Sequence, residues 1–453
     1  MEAISSNMYD LAIIGGGPGG YVAAERAGAA GLNVILFERN ELGGVCLNEG
    51  CIPTKALLCC AKMYDHAQHG KAFGVSAEGV AFDFSRMMER KTRVVRRLVG
   101  GVKARMKGAQ VDVVKGEAFI EKRTEEGIDI SCGGQTYQAA QLLICTGSSA
   151  AVPPIPGLAE SGAIVTNREI LALEERPGEL VIIGGGVIGM EFASFFNSLG
   201  TKVTVIEMLP KILGNLDGEV SAMLQAIYAK KGITFKLGCK VTGIEDNTVV
   251  YMTPEGAEER ASGDRILLSV GRRANLKGFG LENTGVEFDR GIKVDDHMRT
   301  NVPGIYAAGD VTGFSLLAHT ASREAEVAVA NILGGNEAMS YAAIPGVVYT
   351  TPEVAGVGLT EEQAEGAGVL KLPMAYSGRY VAENEDITGL CKIIYDKADG
   401  RVLGLHMLGS PCSEIIQSGC IAIENGLTVD QLKKTVFPHP SVSEIIKETL
   451  QGV

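Results

Sequence analysis

Two segments of the chain share one order of apolar and polar stretches. In each, a short apolar run ends in glycine, a helix-like stretch follows, and a second apolar run ends in glutamate. The first segment starts at residues 9–15 (YDLAIIG) and closes at 33–38 (NVILFE), and the second starts at 180–184 (LVIIG) and closes at 202–207 (KVTVIE). Strands alternating with helices predict an α/β fold with parallel sheets. The repetition predicts two dinucleotide-binding domains.

The first apolar run leads into glycines spaced as in a phosphate-binding loop. Gly15, Gly17 and Gly20 form the pattern GxGxxG directly after the predicted strand. The first glycine permits a tight turn, the second lets the backbone approach a pyrophosphate, and the third lets helix and strand pack closely. Glu38 lies 23 residues after Gly15, where a carboxylate can accept hydrogen bonds from ribose hydroxyl groups.

The second apolar run leads into the same pattern. Gly184, Gly186 and Gly189 repeat GxGxxG, and Glu207 again lies 23 residues after the first glycine. A carboxylate there repels a 2′-phosphate, so the sequence favours NAD over NADP at the second loop, although Lys211 is nearby. Two nucleotide sites in one chain indicate electron transfer between two carriers, most commonly a flavin and a nicotinamide.

Charge and hydropathy exclude several classes of protein. The net charge of −12 over 453 residues argues against a nucleic-acid partner. Residues 1–10 lack the basic and apolar regions of a signal peptide, and we expect no membrane span because no uninterrupted apolar stretch reaches about 18 residues. The sequence therefore predicts a soluble cytoplasmic enzyme.

Cys46 and Cys51 stand apart from the other eight cysteines, which are scattered without metal-ligand spacing. The pair follows the first nucleotide unit and leads into a helix-like stretch, and thiols at a helix N-terminus are the reactive kind. Spacing alone leaves a structural, a metal-binding and a redox interpretation open. The neighbouring nucleotide loop favours the redox interpretation.

A histidine near the C-terminus is the candidate base for thiol chemistry. His439 lies between two prolines, and Glu444, five residues later, could orient its imidazole ring and raise its basicity. Dithiol exchange needs a base because the thiolate, not the thiol, attacks a disulfide.

Residues 43–55 (GGVCLNEGCIPTK) resemble the redox motif of the pyridine nucleotide–disulfide oxidoreductase family, and 437–444 (FPHPSVSE) resemble its His–Glu signature. Within the family, Asn48 and Glu49 between the cysteines are most similar to the members that oxidise dihydrolipoamide. The resemblance covers essentially the whole chain. Other blocks match in order: 145–150 (CTGSSA), 270–275 (VGRRAN), 304–311 (GIYAAGDV), 316–321 (LLAHTA) and 349–363 (YTTPEVAGVGLTEEQ).

The resemblance implies an α/β architecture of two Rossmann-like dinucleotide-binding domains and a C-terminal α+β dimerisation domain. The implied boundaries are 1–148 for the first part of an FAD-binding domain, 149–270 for an NAD-binding domain, 271–342 for the second, central part of the FAD-binding domain, and 343–453 for the interface domain.

The resemblance also implies FAD at the first loop and NAD at the second. Lys55 matches a lysine near the flavin N5 that pairs with an acid, here Glu191, and Asp310 matches the residue that binds the ribityl chain. Further positions match residues lining the two cofactors: Thr146, Gly147, Ser148, Ala318, Val241 and Gly271.

By the same resemblance, Cys46 and Cys51 form a redox-active disulfide in which Cys46 faces the substrate and Cys51 faces FAD. The catalytic His439 would come from the other subunit of a homodimer. The implied partner is a separate lipoylated carrier of a 2-oxo-acid dehydrogenase or glycine cleavage complex. Cys145 departs from the family's usual alanine, and Cys59 and Cys60 are additions that we interpret as packing residues.

Two alternatives remain open at this point. One is another flavin disulfide reductase, similar to glutathione or mercuric reductase. The other is a non-catalytic subunit that keeps the fold, against which the complete set of cysteine, histidine and glutamate residues argues.

Overall fold

The computed structural model describes residues 8–452, so most of the segment on which we predict no signal peptide lies outside the described residues. The chain forms two compact units. The first contains the described residues up to Pro53, with Glu89–Ala151 and Gly271–Ser340, and the second contains Thr54–Met88, Val152–Val270 and the described residues from Tyr341 onwards. Within residues 8–452, every helix is too short or too polar to cross a membrane.

The strands are numbered in chain order. They are β1 (Tyr9–Ile14), β2 (Val34–Glu38), β3 (Asp112–Lys115), β4 (Phe119–Arg123), β5 (Ile128–Cys132), β6 (Gln135–Ile144), β7 (Ser148–Ala150), β8 (Ile164–Val165), β9 (Glu179–Ile183), β10 (Lys202–Glu207), β11 (Thr234–Leu237), β12 (Lys240–Glu245), β13 (Thr248–Met252), β14 (Glu258–Ser262), β15 (Arg265–Leu268), β16 (Arg272–Ala274), β17 (Ile305–Ala307), β18 (Gly346–Val348), β19 (Val354–Gly358), β20 (Gly368–Pro373), β21 (Leu390–Tyr395) and β22 (Val402–Leu408).

The α-helices are numbered in the same way. They are α1 (Pro18–Ala29), α2 (Gly44–Glu49), α3 (Cys51–His69), α4 (Phe84–Gly108), α5 (Asn167–Ile170), α6 (Val187–Ser198), α7 (Gly218–Lys230), α8 (Ala318–Ile332), α9 (Gly378–Glu383), α10 (Cys412–Ile415), α11 (Gln417–Glu424), α12 (Val429–Lys433) and α13 (Glu444–Leu450). Short 3₁₀ helices cover Gly70–Phe73, Leu281–Asn283, Asp310–Thr312 and Met374–Tyr376.

The first unit is built on a sheet whose central strands are parallel. The order is β3-β2-β1-β6, with β17 also parallel to β6, and β5 and β4 extend the sheet as antiparallel strands. β1 is buried over its last four residues and is paired on both edges, as expected for a central strand of a parallel sheet. The predicted strand therefore lies at the centre of the sheet, with its glycine loop at the carboxyl end.

The second unit repeats this arrangement and adds an antiparallel sheet. The strands in the order β11-β10-β9-β15-β8 are all parallel, and β12, β13 and β14 form a separate antiparallel meander. Residues from 346 to 408 form the antiparallel order β18-β19-β22-β21-β20. The predicted fold class of two Rossmann-like units and a C-terminal α+β region is confirmed.

The compact units divide the chain differently from the predicted boundaries. Residues 54–88 group with the second unit, and the other divisions fall at 151/152, 270/271 and 340/341. The separation at 270/271 falls at the same place as one predicted boundary, and all the functional domain limits stay predictions.

A buried lysine, Lys392, pairs with three carboxylates inside the second unit. Lys392 on β21 is 1 % exposed, and its Nζ lies 3.0 Å from Asp217 Oδ1, 2.8 Å from Glu219 Oε2 and 2.7 Å from Glu361 Oε2. Burial alone would lower the pKa of Lys392, but hydrogen bonds to these three carboxylates outweigh it and raise the pKa. The lysine therefore stays charged because its partners surround it.

We expect Lys392→Ala to lower the free energy of unfolding by about 3 kcal/mol, since it leaves the fully buried Asp217 without its cation. Lys371→Ala is the matched control: Lys371 also contacts Glu219, but its side chain is 51 % exposed, so its loss should cost less than about 1 kcal/mol. Urea denaturation of both variants measures the difference. Equal losses of unfolding free energy in the two variants would contradict the claim that the buried lysine stabilises the fold more than the exposed one.

Candidate functional site

The three glycines of the first loop meet different surroundings. Gly15 has φ +107°, and a Cβ there would lie 2.2 Å from the carbonyl oxygen of Cys145, while a Cβ on Gly20 would lie 1.7 Å from the oxygen of Gly15. A Cβ on Gly17 would meet only Gly44 Cα, at 3.8 Å. The first and third glycines are therefore fixed by the fold, and the second leaves the open space that a pyrophosphate needs.

Glu38 is held at the rim of this loop. Its Oε2 accepts a hydrogen bond from Gly16 N at 2.7 Å, and its Oε1 accepts one from Asn40 N at 2.7 Å. A carboxylate has about four acceptor positions, so these two bonds orient the group and leave capacity for ribose hydroxyls. The residues present therefore fit an adenine dinucleotide such as FAD.

The second loop has the same geometry. Gly184 again has φ +107° with a virtual Cβ 2.2 Å from a backbone oxygen, and a Cβ on Gly189 would lie 2.1 Å from Gly184 O, whereas one on Gly186 would meet nothing within 4 Å. Glu207 accepts from Gly185 N at 2.6 Å and from Leu209 N at 2.8 Å. The fit to a dinucleotide is therefore equally good at both loops.

The cysteine pair lies at the junction of two helices in the first unit. Cys46 is in the short helix α2, Cys51 is the first residue of α3, and both are partly exposed. Gly43 and Gly44 before them have positive φ, and a Cβ on Gly44 would lie 2.6 Å from Gly17 Cα. The cysteine loop therefore packs backbone to backbone against the first phosphate loop.

Asn48, between the cysteines, fastens this loop. Its side-chain amide donates to the carbonyl oxygens of Gly44 at 2.9 Å and Leu42 at 3.1 Å, with a longer contact to Glu41 at 3.4 Å. From the sequence, Asn48 was identified only as a residue that matches the family's cysteine motif. Its role in the loop was missed because the acceptors are backbone atoms that carry no sequence signal.

A polar cluster in the first unit contains three of the predicted flavin positions. Ser148 Oγ donates to Asp310 Oδ2, and Arg272 Nε donates to the same Ser148 Oγ at 2.7 Å. Thr146 is joined to Asn275 by Thr146 Oγ1 donating to Asn275 O at 2.9 Å and Asn275 Nδ2 donating to Thr146 O at 2.8 Å. Arg272 and Asn275 were quoted within a motif but not identified as site residues.

The remaining predicted cofactor positions are less constrained. Gly147 has φ +68° and Gly271 has φ +108°, and neither has an atom within 4 Å of a virtual Cβ. Ala318 is the first residue of α8. Val241 lies on β12 in the second unit, whereas Gly271 opens the last segment of the first unit.

The predicted pair of Lys55 and Glu191 forms in the second unit. Lys55 Nζ lies 2.8 Å from both carboxylate oxygens of Glu191, whose side chain is 4 % exposed. Tyr349 completes the group: its ring centroid is 4.5 Å from Lys55 Nζ, and its backbone N donates to Glu191 Oε1 at 3.1 Å. Tyr349 was not identified from the sequence, since aromatic residues are far more often core than site.

The predicted His439–Glu444 pair also forms. His439 Nδ1 lies 3.0 and 3.2 Å from the two oxygens of Glu444, and Ser441 N donates to Glu444 Oε2 at 2.9 Å. The Ser441 N–H and then His439 lower the pKa of Glu444, so it stays a carboxylate. Because Nδ1 donates to this carboxylate, Nε2 of the neutral ring is the proton acceptor, and the ring is 81 % exposed.

The other cysteines differ in environment. Cys145 is buried beneath the first loop, and burial raises the pKa of its thiol far above the ordinary range. Cys59 is exposed on α3 and Cys60 is partly exposed. Their interpretation as packing residues stays a prediction.

Two nucleotide loops, a cysteine pair and a His–Glu base together define a nucleotide-dependent disulfide oxidoreductase. The chain belongs to the pyridine nucleotide-disulphide oxidoreductase family. Residues 9–325 match the model of that family, and residues 344–450 match the model of its dimerisation domain. The resemblance in the sequence is therefore confirmed, and FAD and NAD(H) are the cofactors of such enzymes.

Individual relatives agree with this family. The chain is similar to dihydrolipoyl dehydrogenase from Rhizobium etli, with 39 % identity over 98 % of this chain and 97 % of the relative. The enzyme of the same name from Bacillus subtilis is 39 % identical over 98 % and 96 %, and that from Chlorobaculum tepidum 40 % over 97 % and 96 %.

Two solved structures have the same fold. The HOCl-induced flavoprotein disulfide reductase RclA from Escherichia coli superposes with a TM-score of 0.86 at 30 % identity. LpdA from Mycobacterium tuberculosis superposes with a TM-score of 0.88 at 25 % identity. Each comparison covers 98 % of this chain and 99 % of the other.

The glycines predict two separable effects of added methyl groups. Gly186→Ala should change the free energy of unfolding by less than about 0.5 kcal/mol, because its φ of −73° suits alanine and its surroundings are open, yet NADH affinity should fall at least about tenfold. Gly189→Ala should destabilise the fold by about 1–3 kcal/mol, because its Cβ would meet the oxygen of Gly184. Thermal unfolding and fluorescence titration with NADH measure both. Unchanged NADH affinity in the Gly186 variant would show that the second loop is not part of the NADH site.

Proposed function

We propose that the protein is a dihydrolipoyl dehydrogenase. It oxidises dihydrolipoyl groups on a lipoylated carrier of a 2-oxo-acid dehydrogenase or glycine cleavage complex, in the cytoplasm, with NAD⁺ as final acceptor. The observation that carries this proposal is identity of about 39 % to enzymes of that name over nearly their whole length. Glu207 at the second loop supports NAD, since a carboxylate disfavours the 2′-phosphate of NADP.

The thiol chemistry needs a base, an electrophilic disulfide and a protected second sulfur. Nε2 of His439 takes the proton from a substrate thiol, and Glu444 stabilises the imidazolium that forms. The substrate thiolate attacks Cys46 of the Cys46–Cys51 disulfide, and Cys51 leaves as a thiolate. The second substrate thiolate then attacks the mixed disulfide at the substrate sulfur, releasing the cyclic lipoyl disulfide and leaving Cys46 reduced.

Electron transfer to NAD⁺ needs residues that hold the two cofactors. These residues come from both nucleotide loops and from the helix that follows the cysteines. FAD, when bound, supplies two-electron transfer between the cysteine pair and NAD⁺. Gly17 and Glu38 would hold it at the first loop, while Lys55 and Glu191 would lie beside its ring system. The dimerisation domain supports a homodimer, in which His439 of one subunit serves the cysteine pair of the other.

The direct test supplies the purified flavoprotein with NAD⁺ and dihydrolipoamide. We expect NADH to form at a rate typical of enzymes, and Cys46→Ser to abolish it while FAD stays bound, because the first loop is untouched. A protein that fails this assay but rapidly reduces glutathione disulfide with NADPH would be one of the rival disulfide reductases. A colourless, inactive protein would be the structural subunit.

A second prediction concerns the base. His439→Gln should slow dihydrolipoamide oxidation about 10²- to 10⁴-fold, because it removes the proposed base that takes the proton of the substrate thiol, while NADH-to-dye electron transfer changes little. The control His69→Gln removes another exposed histidine, one that bonds only a backbone oxygen of its own helix, and should leave both rates unchanged. Equal losses of both activities in the His439 variant would contradict its role.

A further inference from the structure

The chain between β10 and α7 contains a cation close to the predicted ribose acid. Residues 208–217 (MLPKILGNLD), here called the 208–217 connection, follow Glu207 and lead into α7. Lys211 lies four residues after Glu207, where its ammonium group has two possible roles. It could bind a phosphate of the coenzyme, or it could bind another part of the protein.

The 208–217 connection is hydrogen-bonded to the second glycine loop. Leu209 N donates to Glu207 Oε1 at 2.8 Å, and Gly185 N donates to the other oxygen of the same carboxylate at 2.6 Å. Leu213 N then donates to Gly185 O at 2.9 Å. The positions of Glu207 and Gly185 therefore depend on the path of the backbone from Leu209 to Leu213.

Leu213 occupies a bend of this path in an uncommon backbone conformation. Its φ is +53°, in the left-handed region that few residues other than glycine adopt. Its side chain is 3 % exposed and packs in the hydrophobic core of the second unit. A backbone conformation of this kind persists only when the surrounding contacts hold it.

Lys211 supplies one of these contacts. Its Nζ donates to Leu216 O at 2.7 Å, and Leu216 N donates to Leu213 O at 2.8 Å. These two bonds close residues 211–216 around Leu213. Hydrogen bonds from a charged donor are stronger than those from a neutral one, so the ammonium group can hold a bend that the backbone alone disfavours.

A carboxylate from another part of the second unit favours the same position of the cation. Glu362 Oε1 accepts from Gly218 N at 2.9 Å, and a Cβ on Gly218 would lie 3.9 Å from Lys211 Nζ. Burial alone would raise the pKa of Glu362, but hydrogen bonds from its own backbone, Thr360 and Gly218 lower it, as does the Lys211 charge. The Glu362 carboxylate therefore attracts the ammonium group towards the start of α7.

We propose that Lys211 is a positioning residue for the coenzyme site: it braces the connection that holds Glu207 and Gly185, and it does not itself bind the coenzyme. The inference rests on the proposed function in one respect, the binding of the nicotinamide coenzyme at the second loop. Only molecules in which both residues are correctly placed bind the coenzyme tightly. Loss of the brace lowers that fraction, so it weakens ligands with and without a 2′-phosphate alike.

The test measures ligand affinity by isothermal titration calorimetry in the oxidised protein with FAD bound. ADP-ribose has the adenosine ribose and pyrophosphate of NAD but cannot reduce the flavin, and 2′-phospho-ADP-ribose adds the phosphate of NADP. Lys211→Met should weaken both probes about fivefold and by the same factor. A lysine that binds the coenzyme phosphate would instead cost the 2′-phosphorylated probe far more affinity, and that result would overturn the proposal.

Lys211→Arg is the conservative variant. Its guanidinium group keeps a charged donor for Leu216 O, so the affinity for both probes should stay within about twofold of the parent. Equal losses of affinity in the arginine and methionine variants would show that the hydrogen bond is not what holds the connection.

Lys231→Met is the matched control. Lys231 follows the last residue of α7, and its Nζ also donates to a backbone carbonyl, that of Thr351 at 2.9 Å. Thr351 N in turn donates to the hydroxyl group of Tyr228, so this bond belongs to another part of the second unit. We expect no change in the affinity for either probe. A fivefold loss in this variant too would overturn the specific role of Lys211.

Thermal unfolding distinguishes positioning from a general effect on stability. A merely structural role would lower the unfolding temperature of Lys211→Met and leave its affinity unchanged well below the transition, because nearly all molecules remain folded there. Unchanged affinity for both probes would therefore overturn the proposal, whatever the unfolding temperature.

The result does not depend on the substrate, because neither probe takes part in dithiol chemistry. A protein that shows the equal losses but does not oxidise dihydrolipoamide would overturn the proposed function and leave the role of Lys211 standing. An active enzyme whose Lys211→Met variant keeps full affinity would do the reverse. A parent protein that binds neither probe would overturn the coenzyme site at the second loop and this inference with it.

Discussion

The backbone of the cysteine loop lies directly against the backbone of the first phosphate loop, and only glycine permits this approach. A Cβ on Gly44 would lie 2.6 Å from Gly17 Cα, and Gly43, with φ +102°, donates its N–H to Gly16 O at 2.8 Å. The cysteine pair is therefore fixed relative to the first glycine loop by main-chain contacts, whose geometry does not depend on rotamers. Asn48 adds side-chain bonds that close the loop on itself.

Backbone N–H groups also hold the carboxylates of the two acidic residues, Glu38 and Glu207. Glu38 and Glu207 each accept one N–H from within a glycine loop and one from two residues downstream. Both carboxylates were predicted as ribose acceptors from their spacing. They also close the turns at the ends of β2 and β10, so replacing either one would disturb the loop as well as the proposed ribose contact.

Spacing in the sequence was enough to predict the glycine loops, the cysteine pair and the His439–Glu444 bond, because each is set within a short stretch of chain. The central strands and the parallel sheets followed from apolar runs for the same reason. Tyr349 and Tyr228 could not be predicted in this way. Tyr349 contacts a residue 158 positions away, and Tyr228 bonds one 123 positions away. Such pairings are created by tertiary packing, which a single sequence does not encode in any local pattern.

Lys392 and Lys55, two lysines of the second unit, both pair with carboxylates but differ in burial and in their other contacts. Lys392 is surrounded by three carboxylates and is 1 % exposed, so its charge is neutralised on the spot and contributes to stability alone. Lys55 has one carboxylate and an aromatic face, and 30 % of its side chain remains exposed. The carboxylate of Glu191 already balances the charge of Lys55, and the ring of Tyr349 adds attraction without adding charge, whereas a second carboxylate would leave the group with a net negative charge. Tyr349 therefore holds Lys55 without adding a further buried charge, which a second acid in its place would do.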